Sequence, residues 1–286
     1  MSKRRIGLDC RGEDFLLAEV SEGQGRTGVV GLETAGRPIS ERIAANGDEL
    51  TIGVTVSDCA GSVKTVRIDD DHGLDGDELV RFELSRSLLE PEREFALGVE
   101  PTGEDGRYLG VVVRRKRLEE IGRACGLTAP AEGVTVRYVL RSVALGKGYL
   151  GFCRPGDGDL LALVDLTDSA ASICLTYKRR IIDVASIVVS EHGREDPTWA
   201  HRFGVDLKTV ISFRLANLLT SGISVPLSRL FLWGEGVDEE LREKMRTLFS
   251  VAVEEPVIEP AYLDNTITVD GPDAVRFLAA LGLTVN

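Results

Sequence analysis

The sequence predicts an α/β protein built from two similar halves, and three observations carry that prediction. Each half opens with an apolar segment that ends in an aspartate, turns through polar residues and returns as a second apolar segment. These segments are Ile6-Gly7-Leu8-Asp9 in the first half and Leu163-Val164-Asp165 in the second. Strand-patterned segments alternate with helix-patterned ones along the chain. The length, 286 residues, suits two domains at roughly 150 residues each.

Composition narrows the function classes. Apolar residues make up 43% of the chain, enough for a sizeable core, which excludes disorder as the default state. A net charge of −12 argues against nucleic acid as the main partner and against broad docking to anionic lipid. The longest apolar runs, such as 160–164, fall far short of the ~20 residues a spanning helix needs. The basic start Met1-Ser2-Lys3-Arg4-Arg5 lacks the apolar stretch of an export signal, so a cytoplasmic location is expected. Cys10, Cys59, Cys125, Cys153 and Cys174 are odd in number and form no CxxC pair. They read as reduced thiols, with Cys10 and Cys174 filling core space.

Element by element, apolar runs predict strands over 6–9, 15–20, 29–32, 50–56 and 63–68, the first two joined through the turn Arg11-Gly12-Glu13-Asp14. A helix should begin near Asp75, whose spacing to Glu78 is that of a capping box. Leu79, Val80, Phe82, Leu84 and Leu88 recur at helical spacing before Pro91 stops the helix. Strands over 95–100 and 108–114 follow, around a glycine-rich turn. A second helix runs from about Arg117, with Leu118, Ile121 and Cys125 on its apolar stripe and the stop signal Gly126-Leu127. The segment 134–143 reads as extended. The five glycines and one proline of 146–158 read as a boundary between the halves.

In the second half, strands over 160–166, 171–177 and 181–189 are joined by short turns and predict an antiparallel meander. A polar stretch over 190–201 precedes a long helix over about 206–219. A strand over 229–233 runs into Gly234-Glu235-Gly236 and then a helix over 238–249, with acids at its start and Lys244 and Arg246 near its end, as the helix dipole favours. Pro272 opens a last helix, with Val275, Leu278 and Leu281 inward and Gly282 after it.

With these elements in place the chain resembles the actin–hexokinase–Hsp70 superfamily. More narrowly, it is similar to the PilM-type assembly proteins of type IV pili, relatives of the cytoplasmic domain of type II secretion GspL proteins. Residues 6–9 and 163–171 match the two phosphate hairpins, 230–236 the adenosine-side strand and turn, and 78–100 the small inserted subdomain. The resemblance implies an actin-like (ribonuclease H-like) duplicated two-domain fold. Residues 1–150 would form the first domain with an inserted α+β subdomain over about 72–117. Residues 151–286 would form the second, its last helix, about 272–282, packing back on the first.

The matches depart from the family at the phosphate positions. Arg11 stands where a glycine is expected, with Gly12 one place late, and Phe15-Leu16-Leu17 replaces a stretch that usually carries a lysine. Thr167 replaces the glycine of the second hairpin. Glu13, Asp14, Asp168 and Glu235 add negative charge where phosphate would lie. The segment between 189 and 206 is too short for two nucleoside-binding helices and has no matching lysine, so the second-domain insertion is shortened. Retained nucleotide binding would fall to Asp9, Gly12, Asp165, Thr167, Gly234 and Gly236. Asp9 and Asp165 either hold Mg²⁺ through water or order their own turns. Gly234 and Gly236 either approach an adenine or shape a strand-to-helix turn.

Further motifs carry less chemistry. Arg114-Arg115-Lys116-Arg117 reads as a docking patch for an acidic lipid or partner, or as a solvated strand end. His72, His192 and His201 share no metal-ligand spacing. Ser190-Glu191-His192 lacks a nucleophile elbow and is no triad. No residue is assigned a catalytic role.

The resemblance implies a cytoplasmic scaffold of a type IV pilus or type II secretion platform, recruited to the inner membrane. By itself it would also imply ATP binding, but the departures at the phosphate positions imply that nucleotide binding is degenerate or lost, so no cofactor is expected unless the site is retained for ATP with Mg²⁺. Its partner would be the cytoplasmic N-terminal peptide of an inner-membrane protein, bound as an added extended segment beside the inserted subdomain, with Leu79, Phe82 and Arg86 as contact residues. Other platform proteins would be secondary partners. The alternatives are an actin-like ATPase or switch that binds ATP with Mg²⁺ and hydrolyses it weakly, and a filament-forming actin relative.

Overall fold

The computed structural model describes residues 3–11, 14–23, 26–35, 50–68, 75–102, 106–127, 133–153, 155–156, 158–189, 196, 198–220, 222–263 and 274–285. The chain starts with three antiparallel strands, β1 (Lys3–Arg11), β2 (Asp14–Gly23) and β3 (Arg26–Ala35), and continues with β4 (Leu50–Val56), which runs parallel to β1. An inserted unit follows: β5 (Gly61–Arg67), α1 (Gly76–Arg86), β6 (Phe95–Pro101) and β7 (Arg107–Arg114). Its strands form a separate antiparallel sheet in the order β5-β7-β6. Helix α2 (Arg115–Ala124) leads to β8 (Val134–Leu140), which completes the first sheet, β3-β2-β1-β4-β8. Helix α3 (Arg141–Phe152) crosses to the second half.

The second half repeats that plan. The meander β9 (Leu160–Leu166), β10 (Ala170–Tyr177) and β11 (Arg180–Val188) precedes helix α4 (Trp199–Thr220). Then come β12 (Leu227–Gly234), α5 (Glu239–Phe249), β13 (Ala252–Glu254) and α6 (Leu278–Gly282). The second sheet reads β11-β10-β9-β12-β13, with β12 parallel to β9 just as β4 is parallel to β1. Two sheets of identical topology are the structural form of the sequence echo.

Burial explains the patterning. Every residue of β9 is buried, because α4 and α5 cover one face of its sheet and α3 the other. A strand covered on both faces reads as a continuous apolar run rather than an alternation. Phe203, Leu207, Ile211, Leu218, Leu241 and Met245 form the outer layer of that core. A second core joins the halves, bringing Leu16 and Ala18 of β2 together with Tyr149, Phe152, Phe231, Leu278 and Leu281.

Several expectations need correction. The extended segment stops at Leu140, and residues 141–143 begin α3. Most of the glycine cluster read as a boundary is helix interior. Gly148 lies so close to α6 that a Cβ there would stand 2.0 Å from the Leu278 carbonyl oxygen, and a Cβ on Gly146 would stand 2.6 Å from Cys174 Sγ. Those glycines serve close packing, which the local sequence does not distinguish from a linker. Helix α4 starts at Trp199, whose ring stacks on Phe203 at 5.3 Å, rather than near residue 206. Helix α1 ends at Arg86, before Leu88. Asp75 caps it through the Asp77 amide at 3.2 Å. Its inward residues are Val80 and Leu84, whereas Phe82 is 58% exposed.

The β10–β11 turn falls where the pattern places it, on Lys178 and Arg179. Both have positive φ, 49° and 59°, as a two-residue hairpin loop requires, although asparagine and glycine are the usual occupants. Residues 69–73 and 190–195, with His72, His192 and Ser190-Glu191-His192, lie outside the described residues, as does Pro272.

Candidate functional site

The ends of β1 and β9 face each other, and each presents a fully buried carboxylate, Asp9 and Asp165. The guanidinium of Arg11 stands between them. Arg11 Nε donates to Asp9 Oδ2 at 3.0 Å and Nη2 donates to Asp165 Oδ2 at 2.8 Å, with the arginine side chain only 8% exposed. Nη1 lies 4.0 Å from Glu235 Oε1, and Nη2 is 3.3 Å from the Arg276 carbonyl oxygen. One side chain of the first sheet thereby joins both hairpins and the turn after β12.

A second arginine completes the cluster. Arg141, the first residue of α3, donates through Nε to Asp9 Oδ1 at 3.0 Å and through Nη2 to the same oxygen and to the Cys10 carbonyl. Thr55 Oγ1 donates to Asp9 Oδ1 at 2.9 Å and accepts from the Cys10 amide at 2.9 Å. A cation at a helix N-terminus is unfavourable to the dipole. Here Asp9 offsets it, and Asp58 Oδ1 accepts from the Ser142 amide at 3.2 Å and from Ser142 Oγ at 2.6 Å, capping the first turn of α3.

The two aspartates have opposite electrostatics. Burial works against ionisation of Asp9, but the guanidinia of Arg141 and Arg11 outweigh it, and its pKa is lowered. Asp165 meets the same burial with fewer donors; Arg11 and Arg141 pull it down incompletely, Asp9 and Glu235 push it up, and its pKa is raised to about 6. Among the described residues, the buried Asp165 Oδ1 has no hydrogen-bond partner. Glu235 is also raised, by burial and by Asp168 beside it.

Thr167 is buried, and its hydroxyl is spent on its own turn, donating to the Ala170 carbonyl at 2.9 Å and accepting from the Ala170 amide at 3.2 Å. Gly234 has φ 111°, and a Cβ there would stand 2.1 Å from the Leu166 carbonyl oxygen and 2.8 Å from Asp165 Oδ1. Gly236 has φ 70° and shapes the turn into α5. Gly12 lies outside the described residues. Leu79, Phe82 and Arg86 share one face of α1, away from the arginine bridge, with Arg86 stacked 5.7 Å from the Phe82 ring centroid. Arg141 was missed by the sequence reading. Its partner Asp9 is 132 positions away, and no local pattern marks it.

The bridge borders a cleft of about 580 Å³ lined by Arg11, Thr55, Arg117, Arg141, Asp168 and Glu235, among others. A second groove, about 430 Å³, runs between the inserted unit and α3. Glu100, Pro101 and Thr102 form one bank, Lys147 and Leu150 the other, and Ile181 lies at its end. Lys147 Nζ pairs with Glu100 Oε2 across it at 3.0 Å. Among the described residues, no helix is long and apolar enough to cross a membrane.

The duplicated sheets, the paired aspartate hairpins and the inserted three-stranded unit define a protein of the actin-like ATPase fold. Compared with solved structures, the chain is similar to a chain of the PilM–PilN type IV pilus biogenesis complex, with a TM-score of 0.68 at 14% identity over 98% of this chain and 97% of that one. It is also similar to a Bacteroides thetaiotaomicron protein with an actin-like ATPase fold, at a TM-score of 0.51 and 9% identity over 99% and 96% of the two chains. The cytoplasmic domain of Vibrio cholerae EpsL, an inner-membrane component of the type II secretion system, aligns over 99% and 94% at a TM-score of 0.48 and 13% identity. No family model and no curated protein sequence matches the chain.

Proposed function

We propose that this chain is an actin-like adaptor of a type IV pilus or type II secretion platform, working through a bound peptide rather than through a nucleotide. The observation that carries the reading is the Arg11 bridge. In an actin-like fold the space between the two aspartate hairpins is where phosphates and their divalent cation would lie. Here a guanidinium fills it, Asp9 is satisfied by donors from three side chains, and among the described residues no lysine accompanies them. Asp168 and Glu235 add negative charge around the cleft, which repels phosphate further. These residues do not fit ATP with Mg²⁺.

Similarity over nearly the full length to a chain of the PilM–PilN complex supports the choice of machine. The groove beside the inserted unit is the place we assign to the peptide. Its banks are the end of β6 and the face of α3, with apolar Leu150 and Ile181 for side chains and the Lys147–Glu100 pair for polar contacts. Exposed Phe82 and Arg86, with Leu79, form a second contact face on α1. Recruitment to the inner membrane then comes from the partner, and the protein acts on the cytoplasmic side.

The test is thermal denaturation with ATP and Mg²⁺, beside calorimetric titration with the cytoplasmic N-terminal peptide of the inner-membrane protein of the same assembly. A bound ligand at 100 times its Kd stabilises the fold by about 2.7 kcal/mol. The adaptor reading expects no shift with millimolar nucleotide and saturable peptide binding that Leu150→Asp abolishes. Micromolar ATP binding would replace it with the ATPase or switch alternative.

A further inference from the structure

Five cysteines that look unrelated in sequence include two that the fold brings together. Cys10 lies near the end of β1, between Asp9 and Arg11, and Cys125 follows the last residue of α2. They are 115 positions apart, yet their Sγ atoms are 3.9 Å from each other. Both side chains line the 580 Å³ cleft. Cys10 is partly exposed there and Cys125 is fully buried behind it. Cys153 and Cys174 are buried elsewhere, and Cys59 is exposed beside Ser186, with 4.0 Å between Cys59 Sγ and Ser186 Oγ.

We propose that Cys10 and Cys125 are a modification site: an oxidisable thiol pair that closes to an internal disulfide when a peroxide enters the cleft. The Cys10 sulfur, which the cleft reaches, attacks a peroxide oxygen. The O–O bond breaks, Cys10 becomes a sulfenic acid, and the leaving hydroxide takes the thiol proton to form water. The Cys125 sulfur then attacks the Cys10 sulfur and expels hydroxide, which takes the Cys125 proton as a second water. Two thiols lose two electrons, hydrogen peroxide gains them, and one S–S bond forms. The sequence separation hides this pair. Its members come from a strand end and a helix end that meet only because α2 packs over the first sheet, where Cys125 and Ile121 touch the β1–β4 core.

The bond ties β1, one residue from the Arg11 bridge, to the helix whose Arg117 and Glu120 form the opposite cleft wall. Oxidation therefore ties the end of β1 covalently to that wall of the cleft. The reaction is slow at neutral pH: contact with Cys125, burial and the Asp9 carboxylate all push the Cys10 thiol up, while Arg141 opposes them. The rate follows the thiolate fraction and rises with pH. The proposal is independent of the adaptor reading.

The experiment uses the full chain with Cys59→Ser, to prevent cross-linking between molecules, exposed to millimolar hydrogen peroxide at pH 7 and pH 9. The expected product is lighter by two hydrogen atoms, yields a Cys10–Cys125 linked peptide on non-reducing digestion, returns to the starting mass with dithiothreitol, and forms faster at pH 9. Adding Cys125→Ala should leave a Cys10 sulfenic acid that a dimedone reagent traps. Sulfinic acid on Cys10 without the cross-link, or intact thiols under conditions that oxidise the urea-unfolded chain, overturns the proposal. The cross-link assay needs neither thiol of the pair replaced, so a variant that fails to fold does not affect it.

Discussion

Arg11 Nη2 and Asp165 Oδ2 stand 2.8 Å apart, joining residues 154 positions apart in the chain and the two sheets of a duplicated fold. The same guanidinium holds Asp9 on its own strand, 3.0 Å away. The two hairpins are thus bridged by the protein's own cation, which makes Arg11 a structural element of the cleft between them.

Replacing Arg11 with alanine leaves two buried carboxylates short of a partner. Removing one member of a buried ion pair costs about 3–5 kcal/mol, and urea denaturation should register a loss of that size. Adding Asp165→Asn should recover part of it, because the second change removes the orphaned charge. A loss below about 1 kcal/mol for Arg11→Ala would mean that water replaces the guanidinium and that the bridge has no structural weight.

The pH dependence follows from Asp165. Its folded-state pKa of about 6 lies above the ordinary 3.8, so folding favours the protonated carboxyl. That contribution is complete below about pH 4 and is lost as pH rises through about 6; it amounts to about 3 kcal/mol. Asp9 runs the other way, its stabilisation present above the ordinary carboxylate range and lost on acidification below it. The stability difference between Asp165→Asn and the parent chain should therefore move in the variant's favour by about 3 kcal/mol between pH 4 and pH 7. A pH-independent difference would show that folding leaves the Asp165 carboxyl at its ordinary pKa.

Close packing of α6 on α3 rests on glycine. A Cβ at Gly282 would lie 1.8 Å from the Ala144 carbonyl oxygen, whereas one at Gly28 meets nothing within 4 Å. Gly282→Ala should cost about 3 kcal/mol by forcing the helices apart, and Gly28→Ala should stay within about 0.5 kcal/mol. Equal effects would show that the α3–α6 contact yields easily.

The two faces of α1 should separate stability from binding. Leu84 is 1% exposed and Phe82 58%. Leu84→Ala should lose about 2–5 kcal/mol through the cavity it leaves. Phe82→Ala should leave stability within about 0.5 kcal/mol and weaken the proposed peptide or platform contact. Unchanged partner affinity in Phe82→Ala would remove α1 from the interface.

Local pattern was sufficient for much of this protein. The meander of β9, β10 and β11, the strand-to-helix turns at Gly234 and Gly236, and the positions of Asp9 and Asp165 at hairpin ends follow from alternation, glycine placement and the repeated apolar–aspartate motif. These are properties of residues close together in sequence. Whether the glycines around 146–151 make a linker or a helix face depends on what packs against them. Gly148 sits inside α3 with the Leu278 carbonyl, 130 positions on, where a Cβ would otherwise lie. Arg11 is legible in sequence as a missing glycine. That it fills the space between the hairpins, that Arg141 supports Asp9, and that Cys10 meets Cys125 were decided by tertiary structure. Charge pairing, thiol contact and close packing act over a few ångströms in space, and the sequence does not record which distant residues the fold will bring within that range.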